Sequence, residues 1–442
     1  MQTASDVVGL DSAIVLHPEV WKKAGHVDNF TDPLVECKSC HHRFRVDKII
    51  EDKGMTINTK LAPDTTQAWV QELKEKLSKT GFKCTHCGKD EFTDPRAFNL
   101  LMTTSAGELP TYLRPETAQG IFINFNLVKT SSRKKIPFGI GQIGKAFRNE
   151  ISPRDFLFRV REFDQMELEY FTHPNLAHLA YEEYVKKCVD FLKHQLGLPE
   201  DMIRLKVYDE AELAHYAQAT TDIEFKFPFG WGELWGIAHR GDFDLRQHNL
   251  GTCPFDDLSS QAKAQLKADG ATESDPFIPH VIEPSVGLDR LFLAALSAGW
   301  RNELIPTSSG SASSGSDGGN TRTLLKLHPD IAPYKFAVLP LRGSMPEMIE
   351  LTHTLVSKIA DFGEDVDTDF SGNIGRRYRR QDEIGTPYVI TIDQETLTNQ
   401  SITIRDRDTM SQIRMDINQL LTHIRCRDPL PAFSNMTSGQ QE

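Results

Sequence analysis

The sequence predicts an α+β protein in which a large domain built on an antiparallel sheet is followed by a small C-terminal α/β domain. Three observations support this prediction. Residues 137–171 read as strand, loop and strand, because apolar and polar side chains alternate with a period of two along the second strand. Two CxxC pairs within residues 35–96 indicate a metal-binding insertion in the first domain. From residue 329 onward, short apolar strands alternate with helices, the last of which is expected at 410–424.

The composition is that of an ordinary globular chain. The 442 residues are 39% hydrophobic and 25% charged, so two or three domains with large cores are expected. No apolar run approaches the roughly 20 residues of a membrane span, and the N-terminus lacks the basic and apolar regions of a signal peptide. The net charge of −12 argues against indiscriminate coating of nucleic acid but is compatible with local basic patches. We therefore expect a cytoplasmic protein that does not enter a membrane.

Changes in composition predict the domain boundaries. A Ser/Gly-rich stretch, which cannot form a core, separates the two domains, and a polar tail ends the sequence. The amphipathic segment 176–196 predicts a helical insertion without catalytic residues. The predicted division is a first domain at 1–305 with insertions at 35–96 and 173–219, a linker at 306–328, a second domain at 329–431 and a disordered tail at 432–442.

The cysteines of the CxxC pairs predict a structural zinc site. They are Cys37, Cys40, Cys84 and Cys87. Four thiolates in two such pairs give tetrahedral Zn²⁺ with no open coordination position, and a helix expected at 64–79 fills the sequence between the pairs. The alternatives are buried free cysteines, or replacement of a ligand by His41, His42 or His86. The pattern favours a reducing compartment over a disulfide framework.

The second strand of the hairpin has two contrasting faces. One face carries Met166, Leu168 and Tyr170, and the other carries Gln165, Glu167 and Glu169. We expect the apolar face to pack on a core while the other face presents carboxylates. With several arginines nearby in sequence, this surface suits a ligand that carries both phosphates and an amine. A solvated hairpin with alternating charges is the simpler alternative.

Short motifs decide between these alternatives. FRNE at 147–150 and FRVREF at 158–163 resemble the second signature motif of class II aminoacyl-tRNA synthetases, and EPSVGLDR at 283–290 matches the third. From residue 6 to about residue 427 the chain is similar to the homodimeric type of glycyl-tRNA synthetase. The resemblance implies a class II antiparallel-sheet catalytic domain and a C-terminal anticodon-binding domain. It also implies a ligase that activates glycine with ATP to glycyl-adenylate and transfers glycine to the 3′ end of tRNA(Gly).

The N-terminus departs from the resembled family. A short strand at 12–16, ended by His17 and Pro18, corresponds to part of the first signature motif. In the family a long helix precedes this strand, and the two build a dimer interface. The printed sequence begins at the strand, which indicates either a late start or a true truncation. We therefore expect a homodimer if the helix is present.

The resemblance assigns ATP to the second and third motifs. Arg148 would bridge the glycine carboxylate and the α-phosphate, Arg159 or Arg161 would meet the γ-phosphate, and Glu233 would share Mg²⁺ with the phosphates. The implied catalytic residues are Arg148, Glu233 and Arg290. The implied ATP-binding residues are Arg148, Asn149, Glu150, Phe158, Arg159, Val160, Arg161, Glu162, Phe163, Glu233, Leu234, Gly287, Leu288, Asp289 and Arg290.

Adenine recognition follows from the same motifs. The base would lie between the ring of Phe163 and the guanidinium of Arg290, and Glu150 would read its amino group. Glu233 is expected on a strand beside the hairpin.

The resemblance places glycine in an adjoining pocket. Because glycine has no side chain, selection works by exclusion: acids bind its ammonium at several points and leave no room for a β-carbon. No smaller amino acid competes, so we expect no editing domain. Residues 114–120 also predict a helix start, where an acid in the first turn is ordinary capping. The implied glycine-binding residues are Arg45, Glu116, Phe163, Asp164, Gln165, Met166, Glu167, Glu283, Pro284, Ser285, Val286 and Gly287.

Other functions fit parts of the sequence. Another class IIa synthetase would keep the fold and change the amino acid, and a non-catalytic paralogue would bind RNA or a partner protein. A zinc-ribbon RNA-binding protein accounts for residues 35–96 alone. In the second domain, a basic helix offers arginines either to RNA phosphates or to solvent. These are Arg376, Arg377, Arg379 and Arg380.

Overall fold

A computed structural model describes residues 5–55, 67–209, 213, 217–268, 276–304 and 321–433. The chain divides into two compact units. The first unit comprises Met1–Val189 with Ile203–Leu293, and the second comprises Asp190–Met202 with Ala294–Glu442. Three predicted segments lie partly outside the described residues: the linker at 306–328 (residues 306–320), the tail at 432–442 (residues 434–442) and the helix expected at 64–79 (residues 64–66).

The first unit contains thirteen strands among the described residues. They are β1 (Val7–Gly9), β2 (Val15–Leu16), β3 (Thr31–Glu36), β4 (Arg43–Arg45), β5 (Arg96–Asn99), β6 (Thr103–Ala106), β7 (Leu109–Leu113), β8 (Phe138–Phe147), β9 (Glu162–Thr172), β10 (Ile203–Val207), β11 (Ala219–Phe227), β12 (Gly230–Gly241) and β13 (His280–Gly287). The α-helices that begin in this unit are α1 (Pro18–Lys23), α2 (His26–Asn29), α3 (Val46–Glu51), α4 (Gln67–Thr80), α5 (Ala118–Ser132), α6 (Ala177–His194), α7 (Phe243–Gln247), α8 (Ser260–Ala268) and α9 (Leu288–Gly299).

A seven-stranded sheet forms the centre of this unit, in the order β1-β8-β9-β13-β12-β11-β10. Only the β1–β8 pair is parallel; the others are antiparallel. The predicted hairpin is confirmed as β8 and β9, and the predicted strand-to-helix passage is confirmed as β13 and α9. The expectation for Glu233 is corrected, because its strand β12 is separated from the hairpin by β13.

The burial of β9 is the reverse of our expectation. The carboxylate face is the buried one: Gln165, Glu167 and Glu169 are 5%, 2% and 0% exposed, whereas the opposite face is partly exposed. The reason is that α5 packs on the carboxylate side of the sheet, where Phe125 of the helix lies 4.4 Å from Phe171 of β9 between ring centroids. The face therefore changes from an apolar core at the end of β9 to buried acids near its start.

The start of α5 also differs from the prediction. The helix begins at Ala118 after the N-cap Thr117, so Glu116 precedes the first turn and does not cap it from within. Gly120 in this first turn packs closely on the N-terminal segment, since a Cβ there would lie 2.0 Å from Ser12 Oγ. Glu116 contacts His26 and Gln119.

Two three-stranded sheets flank the central one. The order β4-β3-β5 with α3 and α4 forms the cysteine-bearing insertion, whose core includes Val35, Ile50, Trp69 and Leu73. The predicted helix in this segment is confirmed as α4. The second small sheet has the order β2-β7-β6, and only Val15–Leu16 of the strand expected at 12–16 is extended.

The predicted insertion at 173–219 is only partly helical. It contains α6, as expected, but β10 also falls within it and forms an edge strand of the seven-stranded sheet.

The second unit contains a hairpin and a five-stranded sheet. Its strands are β14 (Trp300–Leu304), β15 (Thr321–Leu325), β16 (Phe336–Pro340), β17 (Val366–Thr368), β18 (Tyr388–Ile392), β19 (Ser401–Asp406) and β20 (Gln412–Asp416). Its helices are α10 (Pro346–Ala360), α11 (Ile374–Ile384), α12 (Gln394–Asn399) and α13 (Ile417–Cys426). The sheet order is β17-β16-β18-β19-β20, with β16 parallel to both of its neighbours.

Two predictions for this unit are corrected. The expected final helix at 410–424 is β20 followed by α13, because Ile413 and Met415 alternate into the core as in a strand and Asp416 then caps the helix. Part of the predicted linker, Thr321–Leu325, is β15, which pairs with β14.

In the part of the chain that the structure describes, no helix combines the length and apolar character needed to cross a membrane.

Candidate active site

A cleft lies at one end of the seven-stranded sheet, where β8 ends, β9 begins and β13 passes into α9. All but one of the residues that line it are among those predicted to bind ATP or glycine, the exception being Leu157. The lining residues are Arg148, Glu150, Leu157, Phe158, Arg159, Val160, Phe163, Gln165, Glu233, Leu234, Ser285, Gly287, Asp289 and Arg290. The structure thus brings three distant motifs to one place.

Arg148 lies between two aromatic rings. Its guanidinium carbon is 5.5 Å from the ring centroid of Phe30 and 5.4 Å from that of Phe163, and its Nε donates to the Pro115 carbonyl oxygen at 3.0 Å. These contacts fix the plane of the guanidinium, which a bidentate contact with an anion requires. Phe30 was not predicted from the sequence.

Arg290 faces a different ring from the one expected. Its guanidinium carbon lies 4.2 Å from the ring centroid of Phe158, and its Nε donates to the Phe158 carbonyl oxygen at 3.0 Å. A second nitrogen donates to the Glu233 carbonyl oxygen and lies 3.4 Å from the Glu233 carboxylate. Phe163 stacks with Arg148 rather than with Arg290.

Two further arginines surround Glu150. Arg159 Nη1 donates to the Glu150 carboxylate at 3.4 Å, and Arg161 Nε donates to the Glu150 carbonyl oxygen at 3.2 Å. Within the described residues, the buried Nε of Arg159 has no hydrogen-bond partner. A cationic group of this kind can accept an anionic ligand.

Several predicted residues contribute backbone rather than side chains. The Asn149 N–H donates to the Leu100 carbonyl oxygen, and the Asp164 N–H donates to Asp289. Met166 and Val286 alternate with the buried acids along their strands, so their side chains lie on the opposite face of the sheet. Glu162 and Leu288, which were predicted to bind ATP, are exposed to solvent.

Glu167 organises the floor of an acid-rich pocket next to this cleft. One of its oxygens accepts from the Thr117 N–H at 2.7 Å and the Thr117 hydroxyl at 2.6 Å, at the N-cap of α5. The other accepts from Gln165 at 2.6 Å and from Ser285 at 2.8 Å. Burial, and then the charge of Glu116, raise the pKa of Glu167.

Glu116 forms one wall of the pocket. Its carboxylate is 3.3 Å from His26 Nε2 and accepts from Gln119 at 3.3 Å. Burial opposes ionisation of this carboxyl, but His26, Arg240 and Arg148 together hold its pKa well below the ordinary value. An ionised carboxylate is therefore available to a cation.

Glu283 and Asp244 share Arg240 in the deepest part of the pocket. Arg240 is 2% exposed and donates to Glu283 at 2.6 Å and to the two oxygens of Asp244 at 2.8 Å and 3.0 Å. Burial raises the pKa of Glu283 to about 8, even though Arg240 opposes the shift. The neighbouring Glu169 is fully buried, and burial and Glu283 raise its pKa well above the ordinary value.

Arg45 is held in place by two carboxylates. It lies 2.7 Å from Asp32 and donates through Nε to Asp47 at 3.1 Å, and it is partly buried rather than a surface side chain. Burial raises the pKa of Asp32 to about 6 against the charge of Arg45. The insertion thereby brings a fixed cation close to Glu150 and Arg159.

The four predicted cysteines form one cluster. The sulfurs lie within 4.8 Å of one another, with Cys37 to Cys87 at 3.6 Å and Cys40 to Cys84 at 3.5 Å. Tetrahedral zinc with sulfurs at ~2.3 Å requires separations of about 3.8 Å, so the donor set fits the ion. The neighbouring histidines have other contacts: His41 is 2.9 Å from Glu36, and the rings of His42 and His86 stack.

The basic helix of the second unit is less available than predicted. Arg377 is 1% exposed and donates to the carbonyl oxygens of Pro340 and Leu341, so it cannot meet RNA. Arg380 donates to Asp369 at 2.7 Å, whereas Arg376 and Arg379 are exposed.

Sequence reasoning missed the groups that support the pocket from behind. These are His26, Phe30, Asp32, Asp47, Thr117, Gln119, Glu169, Arg240 and Asp244. Arg240 and Asp244 carry no motif in the sequence; the fold joins them to the pocket, because β12 lies beside β13 and Arg240 pairs with both Asp244 and Glu283. The separation of Glu169 by two residues from Glu167 on β9 was the one signal in the sequence that could have identified a member of this group.

The site combines a cleft rich in arginine with a pocket rich in carboxylates. Such a pair accommodates a phosphate-bearing ligand joined to an ammonium. Residues 104–298 match the tRNA synthetase class II core domain (G, H, P, S and T), and residues 335–427 match the anticodon binding domain. The fold and the site therefore define a class II aminoacyl-tRNA synthetase.

Curated relatives identify the amino acid. The chain is 47% identical over 425 residues to the glycine–tRNA ligase of Clostridium kluyveri, covering 95% of this chain and 86% of the relative. It is 42% identical to that of Mesoplasma florum, with 95% and 87% covered. The chain belongs to the glycine–tRNA ligase family, and its activity is that of an ATP-dependent aminoacyl-tRNA ligase.

Solved structures agree on the fold. A threonyl-tRNA synthetase structure from Cryptosporidium parvum Iowa II aligns with a TM-score of 0.57 and 16% identity, covering 96% of this chain and 86% of that one. A prolyl-tRNA synthetase from Cryptosporidium parvum with L-proline and AMP aligns at 0.50 and 14%, covering 74% and 65%.

Proposed function

We propose that the cleft binds ATP with Mg²⁺ and that the adjoining pocket binds glycine, so that glycyl-adenylate forms between them before transfer to tRNA(Gly). The observation that carries this assignment is the position of Arg148 on the boundary between the two. Arg148 lines the cleft together with Arg159 and Arg290, and its charge also acts on Glu116 of the acid-rich pocket. A carboxylate attacking an α-phosphate has to be held at such a boundary.

Arg148 would bridge the glycine carboxylate and the α-phosphate. Its planar fork suits two oxygens at once, and the rings of Phe30 and Phe163 preorganise it before substrates arrive. The negative charge that develops on phosphorus then meets a fixed cation without reorganisation of the site.

The nucleotide would lie along the arginines of the cleft. Arg159 and Arg161 are suited to the terminal phosphates, and Glu233 to the Mg²⁺ that accompanies them. Because Arg290 already packs on Phe158, adenine could enter against this guanidinium, with Phe163 on its other side. Glu150, which Arg159 and Arg161 both contact, would accept a hydrogen bond from the adenine amino group.

The glycine ammonium would lie among Glu116, Glu167 and Ser285. Glu167 and Ser285 are hydrogen-bonded to each other, and Gln165 joins them, so the floor of the pocket is rigid. A rigid pocket selects glycine by leaving no volume for a β-carbon.

Arg148→Lys tests this assignment. Lysine keeps the charge but loses the fork, so glycine-dependent ATP–pyrophosphate exchange should fall about 100-fold, the order of effect of losing one preorganised transition-state donor. Arg133→Lys, an exposed arginine at the C-cap of α5, is the matched control and should leave exchange unchanged. Exchange within twofold of the unsubstituted enzyme in Arg148→Lys would refute the assignment.

Two further proposals follow from the family and the fold. The cysteine cluster would hold a structural Zn²⁺ that closes the insertion and so positions Arg45; one zinc ion per chain by elemental analysis is expected. The second unit would contact the anticodon of tRNA(Gly). A homodimer and a cytoplasmic location stay predictions.

A further inference from the structure

The acid pocket is built from rows of side chains that cross the sheet. On the inner face, Glu167 of β9 pairs with Gln142 of β8 on one side and with Ser285 of β13 on the other. Two residues along, Glu169 pairs with Ile140, and the register of β13 places Glu283 directly opposite it. Side chains opposite each other on one face lie about 5 Å apart at Cβ. Glu169 and Glu283 are therefore two buried carboxyl groups side by side.

Glu169 differs from the other acids of the pocket. It is fully buried, and neither of its carboxylate oxygens has a hydrogen-bond partner within the described residues. Glu283, by contrast, accepts from Arg240 at 2.6 Å. A buried carboxylate without a partner is strongly unfavourable, so a group in this position takes up a proton instead.

The charges around Glu169 come from four elements. Glu167 lies on the same strand, Glu283 on β13, Arg240 on β12 and Asp244 on α7. Glu116, which precedes α5, adds a further carboxylate to the pocket. Arg148 and His26 act on Glu116, and Arg114 acts on Glu167. Among the described residues, the five carboxyl groups still outnumber these three arginines and one histidine, so the pocket has a deficit of positive charge.

We propose that the Glu169–Glu283 pair holds a proton in the free enzyme and releases it when the ammonium of glycine enters the pocket, so that glycine binding is linked to proton release. The proposal rests on the proposed glycine site. The ammonium supplies the missing positive charge, which favours the ionised form of nearby carboxyls. Because the two groups interact strongly, the proton belongs to the pair rather than to one residue.

Linkage fixes the sign of the pH dependence. If binding releases a proton, glycine affinity rises with pH until the pair of the free enzyme has itself ionised. The raised pKa values of both carboxyls place this rise on the alkaline side of their ordinary range. The dissociation constant for glycine should fall as pH increases from about 6.5 to 8.5, by at most about tenfold per unit.

Calorimetry measures the released proton directly. The enzyme is titrated with glycine at one pH near neutrality in two buffers of very different ionisation enthalpy, such as phosphate and Tris. The difference between the two apparent enthalpies gives the number of protons released, and a value approaching about one per chain is expected. Equal enthalpies in the two buffers would overturn the proposal without any variant.

Glu169→Gln identifies the pair as the source. The amide keeps the shape of the side chain but cannot ionise, and Glu283 then faces a neutral neighbour and its own partner Arg240. Glycine should bind within a few-fold of the unsubstituted affinity, but the buffer dependence should disappear. Glu182→Gln on the exposed face of α6 is the matched control and should retain it. Full proton release in Glu169→Gln would contradict the proposal.

Failure of the glycine site is distinguishable from failure of the linkage. If glycine produces no heat at any pH, or if Glu167→Ala binds it as well as the unsubstituted enzyme, the pocket assignment fails. If glycine binds but no proton is released, only the linkage fails.

Discussion

Two buried clusters of acids and arginines, one in each unit, differ in the balance of their charges. In the catalytic unit, Glu283 and Asp244 share a single buried arginine, Arg240, and further carboxyls lie beside them. In the second unit, Asp382 lies between two arginines: Arg405 at 2.8 Å and Arg322 at 3.4 Å. The first cluster has excess acid, whereas the second has excess base.

The excess arginines of the second cluster find hydrogen-bond acceptors within their own unit. Arg322 also donates to the carbonyl oxygens of Arg407 and Asp408 and to the Glu303 carboxylate at 2.9 Å. A network whose donors all have acceptors joins elements and has no need of a ligand. Among the described residues the carboxyl of Glu169 in the catalytic cluster has no hydrogen-bond partner. We propose that the positive charge of a ligand balances this cluster. Charge imbalance, rather than burial, is what separates a binding pocket from a structural network.

The largest expected effect comes from removing an acid of the catalytic cluster. Glu283→Ala should lower glycine-dependent ATP–pyrophosphate exchange a few hundredfold or more, the equivalent of about 3–5 kcal/mol, because it removes one of the two carboxylates that Arg240 contacts and leaves excess positive charge beside the proposed ammonium site. Far-UV circular dichroism should stay unchanged, since Asp244 still holds Arg240. Near-normal exchange would show that the imbalance does not serve glycine.

The equivalent change in the second cluster should affect stability and not exchange. Asp382→Asn removes the carboxylate that Arg405 and Arg322 share, although Arg322 keeps its partly exposed partner Glu303, so the unfolding free energy of this unit should fall by about 3–5 kcal/mol in urea titrations. Asp361→Asn, an exposed residue after α10, is the control and should have no comparable effect. A loss of exchange before unfolding would show that the two clusters do not differ as argued.

The pH dependence of stability gives a smaller effect. The pKa of Glu283 is raised from its unfolded value of 4.5 to about 8 by burial, so its favourable contribution is complete below pH 4.5 and is lost as pH rises toward 8. Glu169→Gln relieves the like charge, and its unfolding free energy should exceed that of the unsubstituted enzyme by about 2 kcal/mol at pH 8 and by less at pH 5. Parallel pH profiles from chemical denaturation would contradict this expectation.

The sequence predicted the chemistry of the catalytic cleft more fully than the support beneath it. The motifs around Arg148, Phe163 and Arg290 are short and contiguous, so a reader of the sequence finds them directly. Arg240 and Asp244 carry no such signal, because their role depends on β12 lying beside β13 and on Asp244 of α7 pairing with Arg240. The period of two along β9 correctly assigned its side chains to two faces. It did not predict which face is buried, because that depends on the packing of α5, which comes from a distant part of the chain.

In the second unit the same limitation produced the error at 410–424. The segment has the apolar spacing of a helix, and only pairing of β20 with β19 selects the extended form.

The sequence by itself determined the two-domain organisation, the hairpin, the thiol cluster and the residue types at the reacting centre, because these depend on local periodicity and on short motifs. The tertiary structure alone decided which acids are buried together and which of them lacks a partner. The free energy of a charged group depends on every element packed around it, and no local stretch of chain contains that information.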